Sequence, residues 1–225
     1  MQVYYRHGWD VNTLEAKYLQ TSLSGEVICH DCCETVSLVA GIDVSVNRFS
    51  KTGTAAAVVL DYPSLAVREV QVYTGNITFP YIPGFLSFRE APLVLEACRR
   101  LVLLPDLFMV DGQGVAHPRR LGLAAHLGIF LDRPTIGVAK SRLCGEHDAP
   151  GGEAGSFTDL ADGDDIIGRV VRTKTNVKPV YVSVGNKISL DKAVTWTLRC
   201  CRGYRLPEPT RMAHLAAGGN LKTVV

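Results

Sequence analysis

Asp43 stands inside the apolar run VAGIDVSV, where an ionised carboxylate is costly to bury unless a positive group meets it. Asp111 follows the short apolar stretch Leu107 to Val110, at the carboxyl end of an expected parallel strand, the edge where open α/β sheets hold their ligands. The glycines of Asp111-Gly112-Gln113-Gly114 let backbone come close to a bound group. Glu90, at the start of a helix expected to begin near Ala91, can aim at the same point. Three carboxylates so placed make a hard, oxygen-rich centre suited to Mg²⁺ or Mn²⁺. A plainer account has Glu90 charging a helix N-terminus and Asp43 meeting a buried base. Lys140, just past the strand Thr135 to Val138, is placed either to hold a phosphate oxygen or to be a solvated lysine. His214 lies in a short helix opened by Pro207-Glu208-Pro209-Thr210, where a lone histidine is more often structural than catalytic.

The elements that must position these groups follow from periodicity. A helix is expected from about Asn12 to Val27. Strands follow at Ser37 to Val46, Thr54 to Leu60 and Val67 to Tyr73, whose short connections make an antiparallel meander. Pro92 opens, or sits in the first turn of, a helix running to about Leu104. The strand Leu107 to Val110, a helix from about Pro118 to Leu131 and the strand Thr135 to Val138 alternate as parallel strands with crossover helices do. The Gly/Asp/Glu-rich span from Gly145 to Asp164 reads as an exposed excursion, with strands again at Ile166 to Arg172 and Val180 to Val184. Helices over about Leu190 to Cys201 and Glu208 to Ala217 finish an α/β chain whose mixed central sheet runs three antiparallel strands, then parallel ones, flanked by helices. No internal repeat is present.

With 225 residues, 47% of them apolar, the chain can bury one core as a single domain, residues 1–225, without disulfides or a partner, and a monomer is expected. No apolar stretch approaches the ~20 residues of a membrane span, and MQVYYRHGWD is no signal peptide, so a soluble, cytoplasmic protein with no membrane partner is expected. The seven cysteines follow no disulfide framework and are read as reduced thiols. Within CHDCC, the Cys29/Cys32 gap suits zinc, but no second ligand pair matches it. Net charge is only +2, yet unevenly spread: Glu146 to Asp165 holds seven acids and no Lys or Arg, whereas Ile166 to Arg205 is basic and suits either a phosphate track or a solvated face.

At these residues the sequence resembles the endonuclease V family. The matching blocks are VAGIDVS (Val39 to Ser45), FPYIPGFLSFRE (Phe79 to Glu90), DGQGVAHPRRLGLAAHLG (Asp111 to Gly128), PTIGVAKSRL (Pro134 to Leu143) and RLPEPTRMAH (Arg205 to His214). The resemblance implies a ribonuclease H-like fold and a Mg²⁺-dependent endonuclease, Mn²⁺ able to substitute. Its substrate would be DNA or RNA containing inosine, cut at the second phosphodiester 3′ of the lesion to leave a 3′-hydroxyl and a 5′-phosphate. It implies that Asp43, Glu90, Asp111, His214 and Lys140 are catalytic, the three carboxylates binding metal. It implies further that Pro80, Tyr81, Ile82 and Pro83 wedge into the strand, that Leu86, Gly112, Gly122 and Leu143 surround the extruded base, and that His117, Arg119 and Ser141 contact phosphate. The rivals are another ribonuclease H-like nuclease, such as a resolvase or an RNA-hybrid nuclease, against which the wedge block argues, and a non-catalytic binder of deaminated strands, against which the intact carboxylates argue.

Overall fold

The computed structural model describes residues 1–32, 34–47 and 51–221. Helix α1 (Thr13–Ser24) begins at Asn12, whose side chain accepts from the Leu14 and Glu15 N–H groups while Glu15 returns a bond to the Asn12 N–H. Strands β1 (Leu38–Asn47), β2 (Thr52–Asp61) and β3 (Val67–Asn76) form the expected meander. Parallel strands β4 (Leu107–Val110) and β5 (Thr135–Ala139) extend it from β1, and β6 (Phe157–Asp162), β7 (Asp165–Val171) and β8 (Val180–Asn186) complete one eight-stranded sheet of order β3-β2-β1-β4-β5-β8-β7-β6.

Successive residues of a strand point to opposite faces, and the two cores follow that alternation. Ala40 and Ile42 of β1, with Phe108 and Val110 of β4, pack beneath α2 (Leu86–Arg99) and α3 (Leu123–Leu131). Val39, Leu107 and Met109 face the other way, onto α4 (Leu190–Arg199) and α5 (Glu208–Ala217). Gly41 also faces α5, and so closely that a Cβ there would lie 1.8 Å from the Pro209 carbonyl oxygen. That contact sets α5 directly over the strand that carries Asp43.

Three expectations need correction. Helix α2 starts at Leu86, not near Ala91, and ends at Arg99 rather than Leu104, so Glu90 belongs to the helix interior and Pro92 removes one internal rung. Packing of Phe85 and Phe88 against Phe79 and α1 winds the chain into helix before the proline. Helix α3 starts at Leu123, not Pro118, because Arg120 is left-handed (φ 54°) and Gly122 is pinned by its N–H to the Gly114 carbonyl. The acidic excursion contains strand β6: Leu160 alone is buried, its neighbours carry outward acids, and Gly163-Asp164 turns it into β7. Among the described residues no helix is long and apolar enough to cross a membrane.

Candidate active site

The parallel pairing of β1 with β4 ends at Ile42 opposite Val110, and the Asp111 N–H continues it by donating to the Ile42 carbonyl at 2.9 Å. Asp43 and Asp111 are therefore the next residues of adjoining strands, side by side at the carboxyl end of the sheet. Each layer adds a group. From α2, buried Glu90 lies close enough for Asp43 and Asp111 to act on its charge. From α5, His214 meets Asp43 through Nδ1 and Oδ2 at 2.7 Å. Lys140, one residue beyond β5, forms an ion pair with Asp111. All five residues singled out from the sequence thus converge, though they span 171 positions.

Burial and then repulsion from Asp43 and Asp111 push the Glu90 carboxyl up to about 8, with Arg89 opposing. Asp111 is pushed up by burial and by Asp43, with Lys140 and His214 pulling the other way. Such mutual repulsion among oxygen donors is what a hard divalent cation relieves. Among the described residues no three His, Cys, Asp or Glu side chains enclose an ion as they stand, and at this centre the Lys140 ammonium meets the carboxylate instead. The carboxylate donor set fits the cation, with Lys140 as the group it would displace. Cys29 and Cys32 are exposed free thiols, and Cys33 lies outside the described residues.

Beside the carboxylates opens a cleft of about 340 Å³, lined by Leu86, Gly112, Gly122 and Leu143 as expected of a base pocket, and by the 81–84 loop. Tyr81 is 72% exposed at its rim, whereas Ile82 turns inward against Phe79 and Phe88. Ser141 forms part of the opposite wall, its carbonyl accepting from the Gln113 side chain at 2.8 Å. Gly122 presents its missing side chain to the Asp111–Gly114 turn: a Cβ would come within 2.3 Å of the Gln113 carbonyl oxygen. Its smallness serves the turn's approach to α3.

His117 and Arg119, expected to contact phosphate, are both bonded to the loop beside the cleft. His117 is 3% exposed, its Nδ1 accepting from the Arg119 N–H and its Nε2 lying 2.9 Å from the Gly84 carbonyl. Arg119 donates to the same carbonyl at 2.6 Å and to Gln20 of α1 at 2.6 Å, with its guanidinium over the Phe85 ring. Both side chains brace the loop that carries Tyr81. Sequence reasoning missed Gln20, which carries no local signal because its partners lie 64 and 101 residues away. It also passed over Ser87 and Gln113, which line the cleft with buried oxygens that have no hydrogen-bond partner, although both stand inside the quoted blocks.

The family model for Endonuclease V matches residues 21–215. An endonuclease V of Dehalococcoides mccartyi is 52% identical over 211 residues, covering 94% of this chain and 95% of its own. The crystal structure of endonuclease V from Streptomyces avermitilis superimposes with a TM-score of 0.89 at 42% identity, covering 97% of each chain. Endonuclease V of Ciona intestinalis, in complex with a 24mer DNA containing an inosine followed by a ribo-adenosine, matches with a TM-score of 0.80 at 27% identity over 92% of this chain and 96% of that one. Identity at this level across nearly the whole chain, together with a shared ribonuclease H-like fold, makes the protein a member of the endonuclease V family.

Proposed function

We propose that the chain is a Mg²⁺-dependent endonuclease that recognises hypoxanthine in DNA or RNA and hydrolyses the second phosphodiester 3′ of the lesion, leaving a 3′-hydroxyl and a 5′-phosphate. The observation that carries the reading is the side-by-side placement of Asp43 and Asp111, with Glu90 reaching them from one helical layer and His214 from the other. Asp43, Asp111 and Glu90 would hold the cation, which supplies charge to polarise the phosphoryl group and lower the pKa of an attacking water. His214, turned by Asp43, keeps its Nε2 free to take the proton of that water. Lys140, which pairs with Asp111, would once released be free to meet the departing charge. Hypoxanthine must leave the stack before its distinguishing edge can be read, and the cleft beside the carboxylates has the volume for one base. Gln113 Oε1 and Ser87 Oγ offer polar atoms in its wall. Tyr81, exposed between prolines, stacks in the gap.

The test is cleavage of inosine-containing single strands of DNA and RNA beside undamaged controls, with Mg²⁺, with Mn²⁺ and with chelator. Cutting confined to inosine strands, and to the second bond 3′ of the lesion, is expected. Equal cutting of undamaged strands, or full activity in chelator, overturns the reading.

A further inference from the structure

A second cleft, of about 380 Å³, opens beside the first, and the segment Lys140, Ser141 and Arg142 lines both. Apart from Lys140, which pairs with Asp111, its cations are matched differently from the ion-paired ones of the surface. Across the described residues, Arg120 meets Asp162 and Asp165, Arg169 meets Asp159 and Asp191, Arg211 meets Glu208, Lys187 meets Asp132 and Lys192 meets Asp31. Within the basic stretch from Ile166 to Arg205 these pairs neutralise Arg169, Lys187 and Lys192, which interrupts the phosphate track that the stretch was read as suiting.

In the second cleft the Arg172 and Arg205 guanidiniums are held by main-chain oxygens instead. Arg172 donates to the carbonyls of Pro150, Gly151 and Val177, and Arg205 to those of Lys140, Lys178 and Pro179. Carbonyl oxygens fix both guanidiniums without cancelling their charge. Arg142 and Lys178 are exposed on the same walls, and no acidic side chain lines the cleft. With Lys140 paired to Asp111, the other four cations around the concavity repel one another, which costs the fold stability unless an anion is brought in. Main-chain anchoring also spares the guanidiniums the ordering cost of gripping a ligand.

We propose that this cleft is a phosphate-binding subsite that seats the backbone of the strand whose base enters the first cleft, with Arg142 and Lys178 contacting phosphate and Arg172 and Arg205 supplying fixed field from the floor. The choice of a phosphodiester backbone as the ligand rests on the reading under Proposed function, because the two clefts share the 140–142 segment. The subsite reads charge and not sequence, so an undamaged strand should fill it as well.

The experiment measures affinity against salt for the parent and for Arg142→Ala/Lys178→Ala, on undamaged and inosine-containing single strands, with inactivating Ca²⁺ in place of Mg²⁺. Both side chains are exposed, so the fold should tolerate their loss, and a circular-dichroism spectrum matching the parent checks it. Each lost phosphate contact flattens the slope of log affinity on log salt by roughly 0.7 on a single strand, so the pair should flatten it by about 1.4 on both strands. Single methylphosphonate replacements along the strand should weaken the parent at one or two positions and leave the variant unaffected there. Equal slopes for parent and variant, or identical methylphosphonate profiles, overturn the subsite. Failure of the parent to prefer inosine overturns the proposed function, while the slope on undamaged strands still tests the subsite by itself.

Discussion

His214 Nδ1 and Asp43 Oδ2 meet at 2.7 Å across 171 residues of chain, and this contact decides which ring nitrogen is free for chemistry. A carboxylate accepts only, so the facing Nδ1 must donate, and a neutral ring then carries its lone pair on Nε2. The side chain is 59% exposed, so the ring is open to solvent rather than sealed in the core.

The first prediction follows from that tautomer. His214→Ala should slow single-turnover cleavage by about 10² to 10⁴-fold, the range of a lost general base, with strand affinity close to that of the parent. Asp43→Asn should do at least as much harm, because it removes a cation ligand and the group that orients His214 together. Single-turnover rates and equilibrium binding measured side by side check both, and a near-parental rate in His214→Ala would remove it from the chemistry.

Glu90 gives a pH prediction for the metal-free protein. Its folded pKa of about 8 stands above an ordinary value of 4.5. Below about pH 4.5 both folded and unfolded chains hold the proton, and between there and about pH 8 the folded state keeps a proton that the unfolded state has released. The stability this group contributes is therefore fully present at the acid end and is lost as pH rises through about 8. Thermal unfolding in chelator should show the decline, Glu90→Gln should flatten most of it, and Asp111, shifted the same way, should account for a remainder. Added divalent cation should raise the midpoint more at high pH than at low, since it competes with the retained protons. A Glu90→Gln protein with the parental pH slope would show that Glu90 is not the group responsible.

Three of the candidate site residues were legible because each sits where chain and chemistry disagree, a carboxylate inside VAGIDVSV, another just past LFMV and a lysine just past TIGVA, whereas the role expected of His214 came from the family resemblance. An acid in an apolar run costs too much to be idle, and strand ends can be read from hydrophobic runs. What stayed hidden depends on partners distant in sequence. Glu90 was found, but its position was read from Pro92 as a helix start, whereas aromatic packing on α1 decides where α2 begins. Strand β6 shows one buried residue, Leu160, amid outward acids, too weak a pattern to distinguish from loop. Whether a basic residue in the 166–205 stretch is neutralised or left charged turns on which carbonyl or carboxylate folds against it, as Arg169 and Arg172 show from three residues apart.

A third prediction concerns the wedge. Tyr81 is 72% exposed and makes no ring contact with Phe79, Phe85 or Phe88, which pack together behind it. Tyr81→Ala should weaken binding of an inosine-containing strand by ~1 to 3 kcal/mol, the worth of one stacked base, and leave the thermal midpoint unchanged. Loss of stability with normal affinity would make Tyr81 a packing residue.

The last prediction separates bracing from phosphate binding at His117. Burial pushes its imidazole down to about 4, so the ring is neutral near pH 7 and offers no charge to an anion. Its Nδ1 accepts from the Arg119 N–H, which leaves the Nε2–H to donate to the Gly84 carbonyl, three residues beyond Tyr81. Removing the ring opens a hole under the loop; the Gly84 carbonyl keeps its bonds from Arg119 and Gln20, but the Arg119 N–H loses its acceptor, and a buried polar group left unpaired costs about 1 to 3 kcal/mol. His117→Ala should therefore lower the thermal midpoint and weaken binding of inosine strands together, while the slope of log affinity on log salt stays parental because no cation is lost. If the ring acts by holding Tyr81, the two residues act as a unit, and adding Tyr81→Ala to His117→Ala should cost less than the sum of the single changes. A histidine that touched phosphate directly would behave otherwise: full additivity with Tyr81, an unchanged melting point and a shallower salt slope. Those three results together would return His117 to the strand and leave the loop braced by Arg119 and Gln20 alone.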